Sequence, residues 1–100
     1  MEKYSDRGKP VIIDWYLTYC HWCEVLQPEW NRLYKKLRSK VKFVKANGKN
    51  LDESSDYYGV TGYPTITLVF PDGGWLKYDG PRQYRDMKKW VKKQMKINGC

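Results

Sequence analysis

Apolar positions along the chain follow two spacings, and each spacing predicts a different kind of element. The stretch VIIDWYL (11–17) is an almost unbroken apolar run rich in strand-favouring residues, which predicts a strand buried on both faces of a sheet. After it, apolar residues recur three and four positions apart, which predicts an amphipathic helix from about Cys23 to Leu37. The remaining predicted elements are strands at 41–46, 65–70 and 75–80, a short helix at 52–58, and a last helix from about Gln83 to Met95.

The order of these elements predicts an α/β architecture. A strand, a helix and a second strand open the chain, and such a unit joins parallel strands through a right-handed crossover. The PDGG segment at 71–74 has the composition of a hairpin turn, so the last two strands are expected to be antiparallel. The pattern therefore predicts a mixed sheet flanked by helices, in a single domain that spans residues 1–100.

The positive charge is concentrated in the last predicted helix. The chain has a formal net charge of +8, and residues 82–96 contain seven basic residues against one acidic residue. Basic residues spaced by four form stripes that can contact an acidic protein, nucleic acid or anionic lipid. The alternative is an ordinary solvated helix face, and the lack of interleaved aromatic residues argues against single-stranded nucleic acid. The stripes are Arg85, Lys89 and Lys93, and Lys88, Lys92 and Lys96.

The apolar runs and the two ends of the sequence bear on where the protein is found. No run approaches the roughly 20 residues that a membrane span needs. The opening MEKYSDRGKP lacks the apolar region of a signal peptide and resembles no transit leader, and the closing KINGC is not an ER-retention signal. These features predict a cytoplasmic location, or an ER-type compartment or a virion if the sequence derives from a longer precursor. Abundant lysine and tyrosine are typical of AT-biased genomes, viral ones included.

Three cysteines are too few and too oddly numbered for a disulfide scaffold. Cys20 and Cys23 lie where the first predicted strand ends and the helix begins, and they can be redox partners, metal ligands or two small apolar residues. A zinc site would need two more ligands, for which only Cys100 and His21 are of the right kind. Cys100 itself belongs to a terminal INGC segment that is expected to be flexible.

The position of the cysteine pair favours redox chemistry. Free N–H groups and the dipole at a helix N-terminus stabilise negative charge, which lowers the pKa of a thiol placed there. Cys20 is expected to be the exposed nucleophile, and Cys23 is near enough to resolve a mixed disulfide. Asp14, within the apolar run, is expected to be buried and to accept the second thiol's proton, unless it faces solvent. Lys45 ends the next strand, where it can tune Asp14 or be an ordinary surface lysine.

A proline marks the start of the third predicted strand. Pro64 cannot donate a hydrogen bond to a sheet. A cis peptide bond before it would leave the backbone of Tyr63 available to pair with an extended substrate, although the spacing alone indicates only a turn proline.

Taken in order, these motifs resemble the thioredoxin superfamily, and within it the catalytic domains of the protein disulfide isomerases. The resemblance covers roughly residues 9 to 95. It implies a thioredoxin-like three-layer sandwich with a mixed sheet of four strands, or five, in which the usual first strand is missing or vestigial. The matching segments are VIIDWY, CHWC, QPEW, VKFVKAN, YYGVTGYPT, FPDGG and YDGPR.

The resemblance also implies roles for individual residues. Cys20 resembles the nucleophile and Cys23 the resolving thiol, while Asp14 takes the place of the buried acid and Lys45 that of its lysine neighbour. Arg82 resembles the arginine of a Y-x-G-x-R stretch that assists proton handling. The implied activity is thiol–disulfide exchange with protein or peptide substrates and a redox partner. It requires no cofactor beyond the cysteine pair and no metal, and a monomer suffices.

The dipeptide between the cysteines departs from the family. Thioredoxins have Gly-Pro there and the isomerases Gly-His, whereas this chain has His21 and Trp22. A protonated His21 would favour the thiolate of the first cysteine, and a neutral one that points away would do little. Trp22 either adds an apolar contact for substrates or only covers the pair. The resemblance assigns Tyr63 and Pro64 to the cis-proline loop that binds substrate.

Overall fold

A computed structural model describes residues 6, 8–50 and 53–100 of the chain, which contain four strands and three α-helices. The predicted elements are all present, and their ends differ from the predicted ones by at most three residues. The strands are Val11–Tyr16 (β1), Lys42–Asn47 (β2), Thr65–Val69 (β3) and Trp75–Lys77 (β4); the helices are His21–Leu37 (α1), Glu53–Tyr57 (α2) and Tyr84–Ile97 (α3), with a 3₁₀ turn at Gly48–Asn50.

The four strands form one mixed sheet in the order β2-β1-β3-β4. Strand β1 pairs in parallel with β2, which sets Asp14 opposite Lys45, and pairs antiparallel with β3, which sets Asp14 opposite Ile66. Strands β3 and β4 form the antiparallel hairpin. The predicted mixed four-stranded sheet is confirmed. The expected loss of a preceding strand concerns the N-terminal residues, of which 1–5 and 7 lie outside the described residues.

The two faces of β1 pack against different layers because successive side chains of a strand point to opposite faces. Ile12 belongs to a core cluster with residues of α1 and α3, whereas Ile13 and Trp15 pack on the other face with Tyr58, just after α2. The predicted three-layer sandwich follows from this division. Asp14 has the same parity as Ile12 and therefore lies on the face that α1 covers.

Helices α1 and α3 pack side by side and run in the same direction. The backbone N–H of Tyr84, at the start of α3, donates to the carboxylate of Glu29 in α1 at 2.8 Å. Toward the other end, Leu37 of α1 and Met95 of α3 line one groove. Both helices therefore begin at the edge of the sheet where β1 ends, which is the edge that holds the cysteine pair.

The C-terminal segment, which the sequence predicted to be a flexible INGC tail, forms a hydrogen-bonded end to α3. Helix α3 extends to Ile97, two residues past its predicted end. Gly99 then adopts a left-handed conformation with φ of 73°. Its N–H donates to the Lys96 carbonyl at 3.3 Å, and the N–H of Cys100 donates to the Met95 carbonyl at 2.8 Å. This pair of bonds is the Schellman motif, which glycine favours because it lacks a Cβ.

The helices in the described part of the chain are amphipathic. Helix α1 has 17 residues and α3 has 14, and each turns an apolar face toward the sheet. No helix among the described residues is both long enough and apolar enough to cross a membrane.

Candidate active site

Cys20 and Cys23 form a disulfide at the N-terminus of α1. Cys20 is the N-cap residue, and its Sγ accepts a hydrogen bond from the backbone N–H of Cys23 at 3.2 Å. This cap starts the helix at His21, two residues earlier than the apolar pattern predicts. Cys23 is only 8% exposed and Cys20 is partly exposed, so Cys20 presents the more accessible sulfur of the pair.

The carboxyl group of Asp14 is buried beneath this helix, as the sequence predicted. The residue is 1% exposed, and its Oδ1 has no hydrogen-bond partner among the described residues. Burial raises the pKa of Asp14 from its ordinary value of 3.8 to about 6, and the positive charge of Lys45 opposes part of that rise. A carboxyl with such a pKa can take up and release a proton close to neutral pH.

A cleft of about 430 Å³ connects the buried acid with the second cysteine. Asp14 and Cys23 both contribute to its walls, and Lys45 and Gln27 lie at the same opening. Two features create this arrangement. The alternation of side chains along β1 directs the carboxyl group of Asp14 toward α1, and the first turn of α1 places Cys23 above it. The further lining residues are Tyr16, Leu17, Thr18, Tyr19 and Glu24.

The ammonium group of Lys45 lies near Asp14 without forming an ion pair with it in the described part of the chain. Its Nζ donates to Oε1 of Gln27 at 2.6 Å and lies 4.7 Å from the centre of the Tyr16 ring. The lysine side chain is exposed at the rim of the cleft. It therefore acts on Asp14 by charge, through the cleft, while its hydrogen bond goes to another residue.

The loop before β3 reaches the other side of the cysteine pair. The peptide bond between Tyr63 and Pro64 is cis, and the Tyr63 carbonyl oxygen lies 4.0 Å from Sγ of Cys20. Gly48 allows the Tyr63 ring to pack here, since a Cβ on that glycine would lie 2.6 Å from Cε1 of the ring. The cis peptide bond that the family resemblance implied before Pro64 is therefore present, and it lies beside the first cysteine.

Arg82 lies against the same loop and not in the cleft of Asp14. Its Nη2 is 3.5 Å from the carbonyl oxygen of Pro64, and the side chain is exposed. The turn before it is compact because the Tyr78 ring lies over Gly80, where a Cβ would come within 3.0 Å of the ring carbon Cζ. The structure thus brings together Asp14, Lys45 and the cysteines on one side of the site, and places Arg82 on the other.

Exposed apolar side chains surround the disulfide. Trp22 is 60% exposed, and its ring meets that of His21 edge to face with 4.9 Å between centroids. Tyr19, which directly precedes the first cysteine, is 92% exposed and has a φ of 64°. Val25 continues the rim at 50% exposure. The exposure of Trp22 favours the interpretation that it offers an apolar contact over the one in which it only covers the cysteine pair.

Three residues of the site were not singled out from the sequence. Gln27 follows Cys23 by four positions and so lies on the same helix face, a signal that was present in the spacing. Gly48 directly follows a strand, where a glycine normally indicates only a turn. Tyr19 gave no signal, because tyrosine seldom adopts a positive φ.

The ligands that a zinc site would need are not assembled in the part of the chain that the structure describes. There, no group of three or more histidine, cysteine, aspartate or glutamate side chains can hold a metal ion. Cys100 follows the end of α3, at the opposite edge of the sheet from the Cys20–Cys23 pair.

A mixed four-stranded sheet between helices, with a Cys-x-x-Cys disulfide at the start of its first helix, is the arrangement that thioredoxins share. Residues 2–93 match the thioredoxin family, and the chain belongs to it. It is 33% identical over 98 residues to the probable protein disulfide-isomerase A4 of Caenorhabditis elegans, covering 95% of this chain and 16% of that protein. It is 34% identical over 73 residues to the thioredoxin of Borreliella burgdorferi, covering 72% of this chain and 62% of that one.

Solved structures give the same fold. The J-Trx1 fragment of ERdj5 matches with a TM-score of 0.81 at 19% identity, covering 91% of this chain and 45% of that one. The chain spans about a sixth of the length of the first curated protein disulfide isomerases that it matches. The predicted thioredoxin fold and the similarity to the isomerases are confirmed.

Proposed function

We propose that the protein exchanges disulfides with protein or peptide substrates through Cys20 and Cys23. The observation that supports this most directly is their disulfide at a helix N-terminus, above a buried carboxyl group. The exchange uses the cysteine pair itself and needs no cofactor. A separate redox partner restores the pair after each reaction.

Reduction of a substrate takes two steps. The Cys20 thiolate attacks one substrate sulfur, which forms a mixed disulfide and releases the other substrate sulfur as a thiolate. Cys23 then loses its proton and attacks Cys20 Sγ, which closes the Cys20–Cys23 disulfide and releases the second substrate sulfur. Two electrons pass from the pair to the substrate, and each released thiolate takes up a proton. The same steps in reverse oxidise a substrate dithiol.

Asp14 is the proton acceptor in the second step of this proposal. Its pKa of about 6 leaves most of the carboxyl ionised at pH 7, so it can receive the proton of the buried Cys23 thiol. The shared cleft gives the proton a route from sulfur to carboxylate and from there to solvent. Lys45 tunes this acid by charge.

The other side of the site binds the substrate chain. The Tyr63 carbonyl, 4.0 Å from Cys20 Sγ, can accept a hydrogen bond from an extended peptide beside the attacked sulfur. Trp22 supplies an exposed apolar surface for that peptide, and His21 lies beside it. Because Arg82 contacts the Pro64 carbonyl, we assign it to holding this loop.

Cysteine variants test the proposal directly. In a Cys100→Ser background, Cys20→Ser is expected to reduce insulin at the uncatalysed rate, and Cys23→Ser is expected to accumulate a mixed disulfide that mass spectrometry detects. The background variant is the matched control and should keep full activity. Full activity in Cys20→Ser would overturn the proposal.

The reduction potential of the pair decides the direction. A value near about −270 mV, measured against a glutathione series, favours a reductase in a reducing cytoplasm. A value at or above about −180 mV favours an oxidant or isomerase in an oxidising compartment.

A second candidate function uses the basic face of α3. The one ion pair of the described residues joins Arg32 to Glu29, so the lysines of this face have no carboxylate partner there. A groove of about 330 Å³ runs between the helices, and three lysines line it. The basic face consists of Arg85, Lys88, Lys89, Lys92, Lys93 and Lys96 of α3, and Lys40, which follows α1, lines the groove with Lys92 and Lys96.

We propose an acidic protein segment as the partner of this face, because a groove admits side chains whereas a membrane needs a flat surface. The probe is a polyglutamate peptide, compared with phosphatidylserine vesicles and a DNA duplex at equal ionic strength. Binding of the peptide should weaken when Lys92 and Lys96 become glutamine, and should change little when the exposed Lys42 and Lys49 do. Equal losses in both variants, or preference for vesicles or DNA, would reject an acidic protein partner.

A further inference from the structure

A hydrogen bond from α1 determines where the Lys45 ammonium lies. Its Nζ donates to Oε1 of Gln27 at 2.6 Å, and the Nε2 of the same glutamine donates to Oδ1 of Asn31 at 2.8 Å. Cys23, Gln27 and Asn31 are spaced by four, so they lie along one face of the helix. The glutamine amide is thus oriented by a neighbour one turn further along, with its oxygen directed at the lysine.

The strongest competing acceptor for that ammonium is the buried acid. Asp14 lies opposite Lys45 in the parallel pairing of β1 and β2, and its Oδ1 has no partner among the described residues. The lysine side chain is long and exposed at the rim of the cleft that Asp14 lines. An unpartnered carboxylate oxygen that lines the same cleft is an alternative acceptor for this ammonium, and the bond to Gln27 competes with it.

The surroundings of Asp14 contain few other charges. Strand β3 presents Ile66 to it, which is apolar. Besides the disulfide-bonded Cys23, the titratable and charged side chains that share its cleft are Tyr16 of β1, Lys45 of β2, Glu24 of α1 and Tyr19 of the preceding loop. Lys45 is therefore the cation of this cleft, and its charge lowers the pKa of Asp14 against the larger effect of burial.

We propose that Gln27 is a positioning residue that holds the Lys45 ammonium at the rim of the cleft and so limits its pull on Asp14. The inference rests on the proposed role of Asp14 as proton acceptor. A direct Lys45–Asp14 ion pair would make the carboxylate a weaker base, and removal of Lys45 would make it protonated over more of the neutral range. The glutamine therefore keeps the pKa of Asp14 between the lower value of a direct ion pair and the higher value expected without Lys45.

The test measures the Asp14 titration itself, from the ¹³C shift of its carboxyl carbon in the disulfide form of the full chain. In Gln27→Leu, which has similar volume and no hydrogen bond, the midpoint should fall by about 0.5 to 1 pH unit as Lys45 moves inward. Gln27→Glu should raise the midpoint, because a carboxylate holds the ammonium more firmly and adds a negative charge to the cleft.

Two controls separate positioning from a general structural effect. Asn31→Ala keeps the glutamine and removes the bond that orients its amide, so the midpoint should fall in the same direction as in Gln27→Leu and by less. In a Lys45→Met background, Gln27→Leu should cause no further change, because the charge that it repositions is gone. A shift in Gln27→Leu that persists without Lys45, or no shift with Lys45 present, would overturn the proposal.

Insulin reduction measured on the same variants keeps this inference distinct from the proposed function. If Gln27→Leu moves the midpoint while Asp14→Asn leaves insulin reduction unchanged, the positioning role stands and the role of Asp14 as acceptor fails. If Gln27→Leu leaves the midpoint unchanged while Cys20→Ser is inactive, the exchange function stands and the positioning role fails.

Discussion

Replacing Asp14 with asparagine isolates the energetic effect of the buried carboxyl group. Asparagine has nearly the same shape as aspartate and carries no charge, so the packing beneath α1 is kept. The amide adds a constant penalty of about 1–3 kcal/mol if its donors find no partner. The part of the change that depends on pH therefore reports the ionisation of Asp14.

The sign and size of that part follow from the raised pKa of Asp14. A carboxyl whose pKa is higher in the folded state stabilises the fold fully below its ordinary value of 3.8, and this stabilisation is lost as pH rises through about 6. The interval of roughly two pH units corresponds to a loss of about 3 kcal/mol at 1.36 kcal/mol per unit. The Asp14→Asn variant has no carboxyl group to ionise at this position, so it escapes this loss. The free energy of unfolding of the variant minus that of the wild type should therefore increase by about 3 kcal/mol between pH 3.8 and pH 7.

Urea unfolding of both proteins at several pH values between 4 and 8, with the disulfide intact, provides the measurement. The difference between the two proteins cancels the titration of all other groups that the substitution leaves undisturbed. It should rise between pH 4 and pH 6.5 and remain level above that. A difference that is the same at every pH would show that Asp14 titrates alike in the folded and unfolded chains, and would refute the account of a desolvated acid.

Three further substitutions test how the site is built. Gly48→Ala should displace the Tyr63 ring, because the new Cβ would lie 2.6 Å from it, and should therefore lower the rate of insulin reduction. Gly62→Ala is the matched control, because a Cβ at Gly62 has open space. Equal rates in the two variants would show that the loop tolerates the contact. Glu29→Ala should lower the free energy of unfolding in urea by about 1 kcal/mol, because the first N–H of α3 loses its carboxylate acceptor. Glu29→Gln should lower it by less. Equal losses in the two variants would show that the charge of Glu29 plays no role. Tyr19→Gly should raise the free energy of unfolding by about 1 kcal/mol, because glycine removes the backbone strain of a positive φ and the exposed side chain makes little packing contribution. Tyr19→Ala should give no such gain. A loss of stability in the glycine variant would show that the conformation is unstrained.

The fold could be predicted from the sequence because its signals are local and agree with one another. The VIIDWYL run, the helical spacing after Cys23 and the PDGG turn each specify one element, and the order of strands and helices limits the topology. Burial of Asp14 could also be predicted, since a carboxyl within an apolar strand has no solvated face available. The ends of elements were less certain because caps decide them, as Cys20 does for α1.

The parts of the site that could not be predicted depend on contacts between distant residues. The bond from Lys45 to Gln27 joins a strand to a helix 18 residues away and depends on the rotamers of two long side chains. Arg82 was expected to assist proton handling, yet its position beside the carbonyl of Pro64 depends on how the turn before α3 folds. Sequence spacing carries no information about such geometry.

The residues that conflict with the ordinary rules of stability are concentrated at the edge of the sheet that holds the disulfide. Asp14 is a buried carboxyl with an unpartnered oxygen in the described structure, Tyr19 has a positive φ, and Trp22 is a large apolar side chain left exposed. At the opposite edge, α3 ends in a regular Schellman motif at Gly99. Local conflicts of this kind persist where function requires them, because sequences otherwise favour agreement between local and global structure. If Asp14→Asn is more stable at neutral pH and also slower in insulin reduction, the same carboxyl group will have been shown to lower stability and to support the exchange.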